Sequence, residues 1–133
     1  MPYFGRVSLS RLEDLHKDLQ RVLRGAIQHF DFTIIWGYRD EDAQNAAYKA
    51  GKSKKKWPHS KHNQLPSMAV DIAPWPLVYD AHPIDFGVLA GVILYCAWER
   101  HVEIRWGGDW NKNLTVNDET FKDLGHFELL HPS

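Results

Sequence analysis

Apolar residues near the N-terminus recur at helical spacing. Leu12, Leu15, Leu19, Val22 and Leu23, with charges between them, predict a helix over residues 8–27. Ser10 and Glu13 fit a capping-box pattern inside it. The period then shortens. Phe32, Ile34, Trp36 and Tyr38 alternate over 32–38 and predict a strand. Thr33 and Ile35 between them are only weakly polar, so cover on both faces is expected. Asp40 is a predicted N-cap for a short helix over 41–50, with Gly51 as its stop.

Residues 51–64 read as a loop. A short strand over 68–73 follows, closed by Pro74 and Pro76. The strongest helical pattern is 83–101. Phe86, Leu89, Ile93 and Ala97 share one face, and Val88, Val92 and Leu94 widen it until the helix is expected to be central and buried. Val102, Ile104 and Trp106 alternate with Glu103 and Arg105, predicting a strand ended by Gly107-Gly108. A polar loop over 111–118, a helical turn over 120–124 and a last strand over 126–130 complete the expectation. Strict βαβ alternation is absent, so the predicted class is α+β, a small antiparallel sheet packed with helices. No repeat or linker interrupts the 133 residues, which predicts one domain.

Composition narrows the function classes. Hydrophobic residues are 44% and charged residues 25%, ordinary globular usage. Lys+Arg 16 against Asp+Glu 17 gives a net charge of -1, so no global basic field is available to hold nucleic acid. The one basic run, Lys52 to Lys56, reads as a solvated loop, or as weak attraction to an anionic surface. The apolar stretch 86–98 is too short to span a bilayer, and no signal-peptide pattern opens the chain. A soluble monomer is expected. With 1 Cys and 8 His, a bound metal would have to use imidazole and carboxylate. Cys96 is expected to be a small buried hydrophobe, and most of the 6 Trp to be core or cleft wall.

Two clusters carry candidate chemistry: Ser60-Lys61-His62 with Ala69-Val70-Asp71, and Asp123-Leu124-Gly125-His126-Phe127-Glu128. A catalytic zinc takes three protein ligands and leaves one position open. Two imidazoles and one carboxylate meet that need, with a further carboxylate as general base. Asp71 lies in a short apolar run, where an unpaired carboxylate is costly, and this favours it as a ligand. Asp123 suits a base offset from the metal. Glu128, two residues after His126 on the same strand face, is either a partner behind the ligands or the rival base.

These residues resemble the zinc peptidases of bacterial cell walls: D-alanyl-D-alanine dipeptidases and carboxypeptidases, and phage L-alanyl-D-glutamate endopeptidases. Their pattern is Ser-x-His, a spacer, Ala-x-Asp, then an acidic residue three positions before a His. Gly37-Tyr38-Arg39 is similar to the family's strand end bearing a substrate-binding arginine. Eight residues separate His62 from Asp71 where six are common, and Ser67 stands where many members have Gly.

The resemblance implies a Hedgehog/D-Ala-D-Ala peptidase-like fold with Zn2+ held by His62, Asp71 and His126. It implies Asp123 as general base, Arg39 as partner of a substrate carboxylate or oxyanion, and Ser60 in the substrate cleft. The expected activity is hydrolysis of the peptidoglycan peptide stem, at the L-Ala–D-Glu bond, by a phage endolysin. Such a protein, without a separate wall-binding domain, is expected to accumulate in the host cytoplasm and reach the wall through a holin-type pore. The rivals are a D-Ala-D-Ala carboxypeptidase or dipeptidase of the same fold and a non-catalytic wall-binding or virion protein; a nucleic-acid module is a distant third.

Overall fold

The computed structural model describes residues 2–76, 83–115 and 123–131. Helix α1 (Arg6–Glu13) and helix α2 (Lys17–Ala26) stand where one helix over 8–27 is expected from the sequence. The reason for the break is a tertiary contact. At the elbow, Ser67 N donates to Asp14 O (2.8 Å) and His16 N donates to Ser67 O (2.9 Å), so those groups are spent on another segment. His16 then restarts the helix: its Nδ1 accepts from Asp18 N at 3.1 Å. The Ser10–Glu13 capping box does not form, because α1 starts at Gly5 without a side-chain cap. The periodic leucines still point one way, and Leu12, Leu15, Leu19, Val22 and Leu23 are all buried.

Strand β1 (Phe32–Trp36) is two residues shorter than its pattern. Phe32 and Ile34 face the core, and Trp36 is exposed. Helix α3 (Glu41–Lys49) starts at Asp40, whose carboxylate accepts from Ala43 N. It ends before Gly51, which takes φ 77, a conformation costly for other residues. Strand β2 (Ala69–Pro74) follows a loop and a single 3-10 turn, Lys61–Asn63.

Helix α4 (Pro83–Glu99) ends two residues earlier than expected. His101 adopts φ 58, with Val102 N bonded to Ala97 O and His101 N to Trp98 O, a Schellman stop made without glycine. Nor is α4 buried all round. Leu89, Ala90, Ile93, Cys96 and Ala97 are covered by α2, β2 and strand β3 (Ile104–Trp106), while Ile84, Val88, Tyr95 and Trp98 are exposed. A helix laid against one layer has one covered stripe, however apolar the rest of it is. No helix among the described residues is long and apolar enough to cross a membrane. Of the tryptophans, Trp36, Trp75 and Trp98 are exposed, Trp106 packs against the core, and Trp36 and Trp110 each wall a cavity. The helical turn expected over 120–124 lies largely outside the described residues.

Strand β4 (His126–Leu129) completes an antiparallel sheet of order β1-β2-β4-β3. Its register separates two faces. Ile34 pairs with Ile72, Val70 with Phe127 and Ile104 with Leu129, all buried in one core with α1, α2 and α4. Each such large apolar side chain contributes roughly 1.5–3 kcal/mol on burial. The alternate positions, Asp71, His126, Glu128 and Arg105, share the opposite face, and Trp36 joins them because a register shift after Ile34 breaks the alternation of β1.

Candidate metal centre and its cleft

The β2–β4 register sets Asp71 directly opposite His126, and the β1–β2 register sets Trp36 opposite Asp71. On the other side of β4, Arg105 stands opposite Glu128. His62 comes from outside the sheet. Ser60 and Asn63 form a capping box around the turn that carries it: Ser60 Oγ accepts from His62 N, and Asn63 Oδ1 accepts from Ser60 N. Ser60 therefore shapes the cleft as well as lining it.

The structure brings His62, Asp71 and His126 together. His62 Nε2 lies 3.3 Å, and His126 Nδ1 3.0 Å, from the same Asp71 Oδ1. All three ligand atoms lie within 4.8 Å of one another. Tetrahedral zinc with ligands at about 2.0–2.1 Å needs ligand–ligand spacings near ~3.3 Å. His62 Nε2 is buried without a hydrogen-bond partner among the described residues, as a nitrogen aimed at a cation would be.

The remaining ring nitrogens are committed. His62 Nδ1 lies 2.8 Å from the carbonyl of Gly37, and donating there leaves Nε2 free of its proton. His126 Nε2 lies 2.9 Å from Glu128 Oε1, the carboxylate–histidine arrangement that orients a metal ligand. Arg105 (2.7 Å) and Lys61 (3.2 Å) hold the other Glu128 oxygen. Burial would raise the Glu128 pKa, but hydrogen bonds from His126 and Arg105 and the charges of His126 and Lys61 hold it well below the usual carboxylate range. Such a carboxylate is a weak proton acceptor.

Asp71 behaves likewise. Burial raises its pKa, yet the His126 and His62 rings facing its Oδ1 bring it far below the ordinary value. For His126, burial lowers the pKa, but the bonds to Asp71 and Glu128 prevail and raise it to about 9. Asp123 is shifted the other way: burial and then the charge of Asp71 raise its pKa, opposed by His126, His62 and Arg39. A raised carboxylate beside the cluster is suited to accept and return a proton.

Asp123 is placed by backbone contacts. Its N donates to Gly107 O (2.8 Å), its O accepts from His126 N (3.1 Å), and Gly125 O accepts from Ile72 N (2.8 Å). A Cβ at Gly125 would lie 2.3 Å from Ile72 O, and one at Gly107 would lie 2.1 Å from Asp123 O. Both glycines are thus required by close approach of backbone to backbone.

Arg39 lies in the cleft, but its terminal nitrogens are used within the protein. One donates to Asp71 Oδ2 and the other to Gln44 Oε1, each at 3.0 Å. Its guanidinium also sits over the Trp36 ring at 5.1 Å. Burial lowers its pKa, opposed by the charges of Asp71 and Asp123. Arg39 lines the cavity and also holds Asp71 from behind.

One residue, Gln44, escaped sequence reasoning, and Trp110 takes the cleft-wall place expected of the tryptophans. Gln44, fully buried, receives Arg39 and Asn63 at its carbonyl and donates to Ser53 and to the Lys55 carbonyl. Trp110 lies 5.4 Å, ring to ring, from His126. Gln44 has no local signal, since the segments it joins are distant in sequence. The cluster opens on a cavity of about 340 Å³ lined by Asp71, Asp123, His126, Ser60, Lys52 and Lys55, among others.

Three comparisons bear on this geometry. A family profile described as phage L-alanyl-D-glutamate peptidase matches residues 2–130. The L-alanyl-D-glutamate peptidase of Escherichia phage T5 is 33% identical over 140 residues, covering 96% of this chain and 97% of that protein. The crystal structure of the Serratia marcescens L-Ala D-Glu endopeptidase ChiX superposes with a TM-score of 0.75 at 27% identity, covering 96% of this chain and 89% of that one.

Proposed function

The chain belongs to the phage L-alanyl-D-glutamate peptidase family, and from that premise we propose that it is a zinc-dependent endolysin cutting the L-Ala–D-Glu bond of the peptidoglycan stem. The observation that carries this reading is the meeting of His62 Nε2 and His126 Nδ1 at one oxygen of Asp71, with Asp123 in the same cavity.

His62, Asp71 and His126 would hold the zinc. When bound there, zinc supplies a Lewis acid that makes water a nucleophile near neutral pH. Asp123 takes the proton from the attacking water as its oxygen bonds to the alanyl carbonyl carbon. The C–N bond then breaks, and Asp123 returns the proton to the departing glutamate amine. Arg39 holds Asp71 from behind, and Glu128, anchored by Arg105 and Lys61, fixes the His126 ring. Trp110 walls the His126 side.

The test is mass spectrometry of purified peptidoglycan digested with and without a chelator. The expected products are stem peptides with a new glutamate amino terminus and glycan retaining L-Ala, lost on chelation and restored by zinc. Release of free D-Ala would replace this reading with the carboxypeptidase. Binding without new amine termini would replace it with a non-catalytic wall protein.

A further inference from the structure

The cations of the cleft fall into two groups. Arg39 is paired with Asp71, and Lys61 and Arg105 with Glu128. Lys52 and Lys55 line the same cavity, and among the described residues no carboxylate lies within ion-pair distance of either. Their loop is nonetheless held in place. Lys52 N and Ser53 N donate to Ala47 O, and Lys55 N donates to Ser53 Oγ. Gln44 Nε2 donates to Lys55 O at 2.6 Å and to Ser53 Oγ at 3.0 Å, while its carbonyl receives Arg39. One buried amide thus ties the lysine loop to the arginine that orients Asp71.

A second cavity lies on the other side of Asp71 and Asp123, walled by Trp36, Ile72 and Phe86, with Lys52 at the divide. The first cavity therefore carries both Lys52 and Lys55, while the second adds the apolar walls beside Arg39, Asp71 and Asp123.

Substrate chemistry matches this polarity and rests on the proposed L-Ala–D-Glu cleavage. A glutamate joined to alanine through its amine carries two carboxyl groups, and chain extension consumes one. Unless it is amidated, a free carboxylate thus lies within a few bonds of the scissile amide. We propose that Lys52 and Lys55 form the subsite for that carboxylate. The alanyl side then lies toward Trp36 and Phe86, which sets the direction of the peptide across Asp71 and Asp123. The paired cations are already neutralised by the protein and are poor competitors for it.

The test uses two peptides, acetyl-L-Ala-D-Glu-L-Lys linked through the glutamate side-chain carboxyl, with the α-carboxyl either free or converted to carboxamide. The zinc-loaded protein should favour the free acid by about tenfold in kcat/KM, as expected for a hydrogen bond to a charged group. The preference should shrink at high salt. In the double variant K52Q/K55Q the ratio should fall toward one, through KM rather than kcat, whereas K17Q on α2 should keep the wild-type ratio. Equal cleavage of both peptides by the wild type, or an unchanged preference in K52Q/K55Q, would overturn the subsite while leaving the peptidase intact. Cleavage of neither peptide would overturn the hydrolytic reading, and the subsite with it.

Discussion

Glu128→Gln separates two roles that one carboxylate can play beside a metal. In the structure Oε1 faces His126 Nε2 at 2.9 Å, and Oε2 takes Arg105 at 2.7 Å and Lys61 at 3.2 Å. The amide removes the charge behind the imidazole and turns one accepting oxygen into a donor facing two cations. Loss of such a partner behind a ligand histidine weakens metal binding about 10–100-fold, or about 1.4–2.8 kcal/mol. The stability cost is smaller, roughly 1 kcal/mol, because the Arg105 and Lys61 side chains, 34% and 30% exposed, regain water. The assay is a zinc competition titration against a chromophoric chelator, with peptide turnover measured at saturating zinc. Weaker zinc binding with kcat within a few-fold of wild type is expected. Asp123→Asn should do the reverse, leaving zinc bound and lowering kcat about 10²–10⁴-fold. Wild-type zinc affinity in Glu128→Gln, together with a hundredfold loss of kcat at saturating zinc, would refute the reasoning and make Glu128 the base.

Other consequences are open to direct measurement. Gly125→Ala drives a Cβ into Ile72 O, so zinc stoichiometry and activity should both fall; full zinc occupancy in a folded variant would contradict the register argument. The His126 pKa, raised to about 9 in the folded metal-free chain, adds stability that is complete below pH 6.5 and is lost as pH rises through 9, on the order of 3 kcal/mol. Melting temperatures of chelator-treated protein should therefore drop between pH 7 and 10, while zinc affinity rises over the same range as the proton leaves; a rising apo Tm would count against it. Asp71 and Glu128, both depressed, contribute stability above their ordinary pKa values that is lost as pH falls below them, so the acid limb of the same curve should also decline. Leu12→Ala, at a fully buried position on α1, should cost about 3–5 kcal/mol in denaturant unfolding without altering zinc affinity in the folded fraction.

Much of this protein was legible from residue type and spacing. Alternation and helical period located the elements, because burial of one face repeats every 2 or 3.6 residues whatever the rest of the chain does. The scarcity of cysteine restricted any metal site to imidazole and carboxylate, and the chemically costly Asp71 in an apolar run marked one candidate ligand. Tertiary structure decided what periodicity cannot see. It split the first helix at Asp14–His16, because Ser67, a distant residue, takes the backbone groups there. It left a face of α4 uncovered, since apolarity does not say which neighbours exist. It gave Asp123 and Glu128 different surroundings: both lie within three residues of His126, but only the β3–β4 pairing brings Arg105 to Glu128, whose pKa is held low. It joined Arg39 to the back of Asp71, and it revealed Gln44 as the link to the lysine loop. Residue chemistry is written locally, but partners are chosen by sheet register and loop closure, which depend on the whole folded chain.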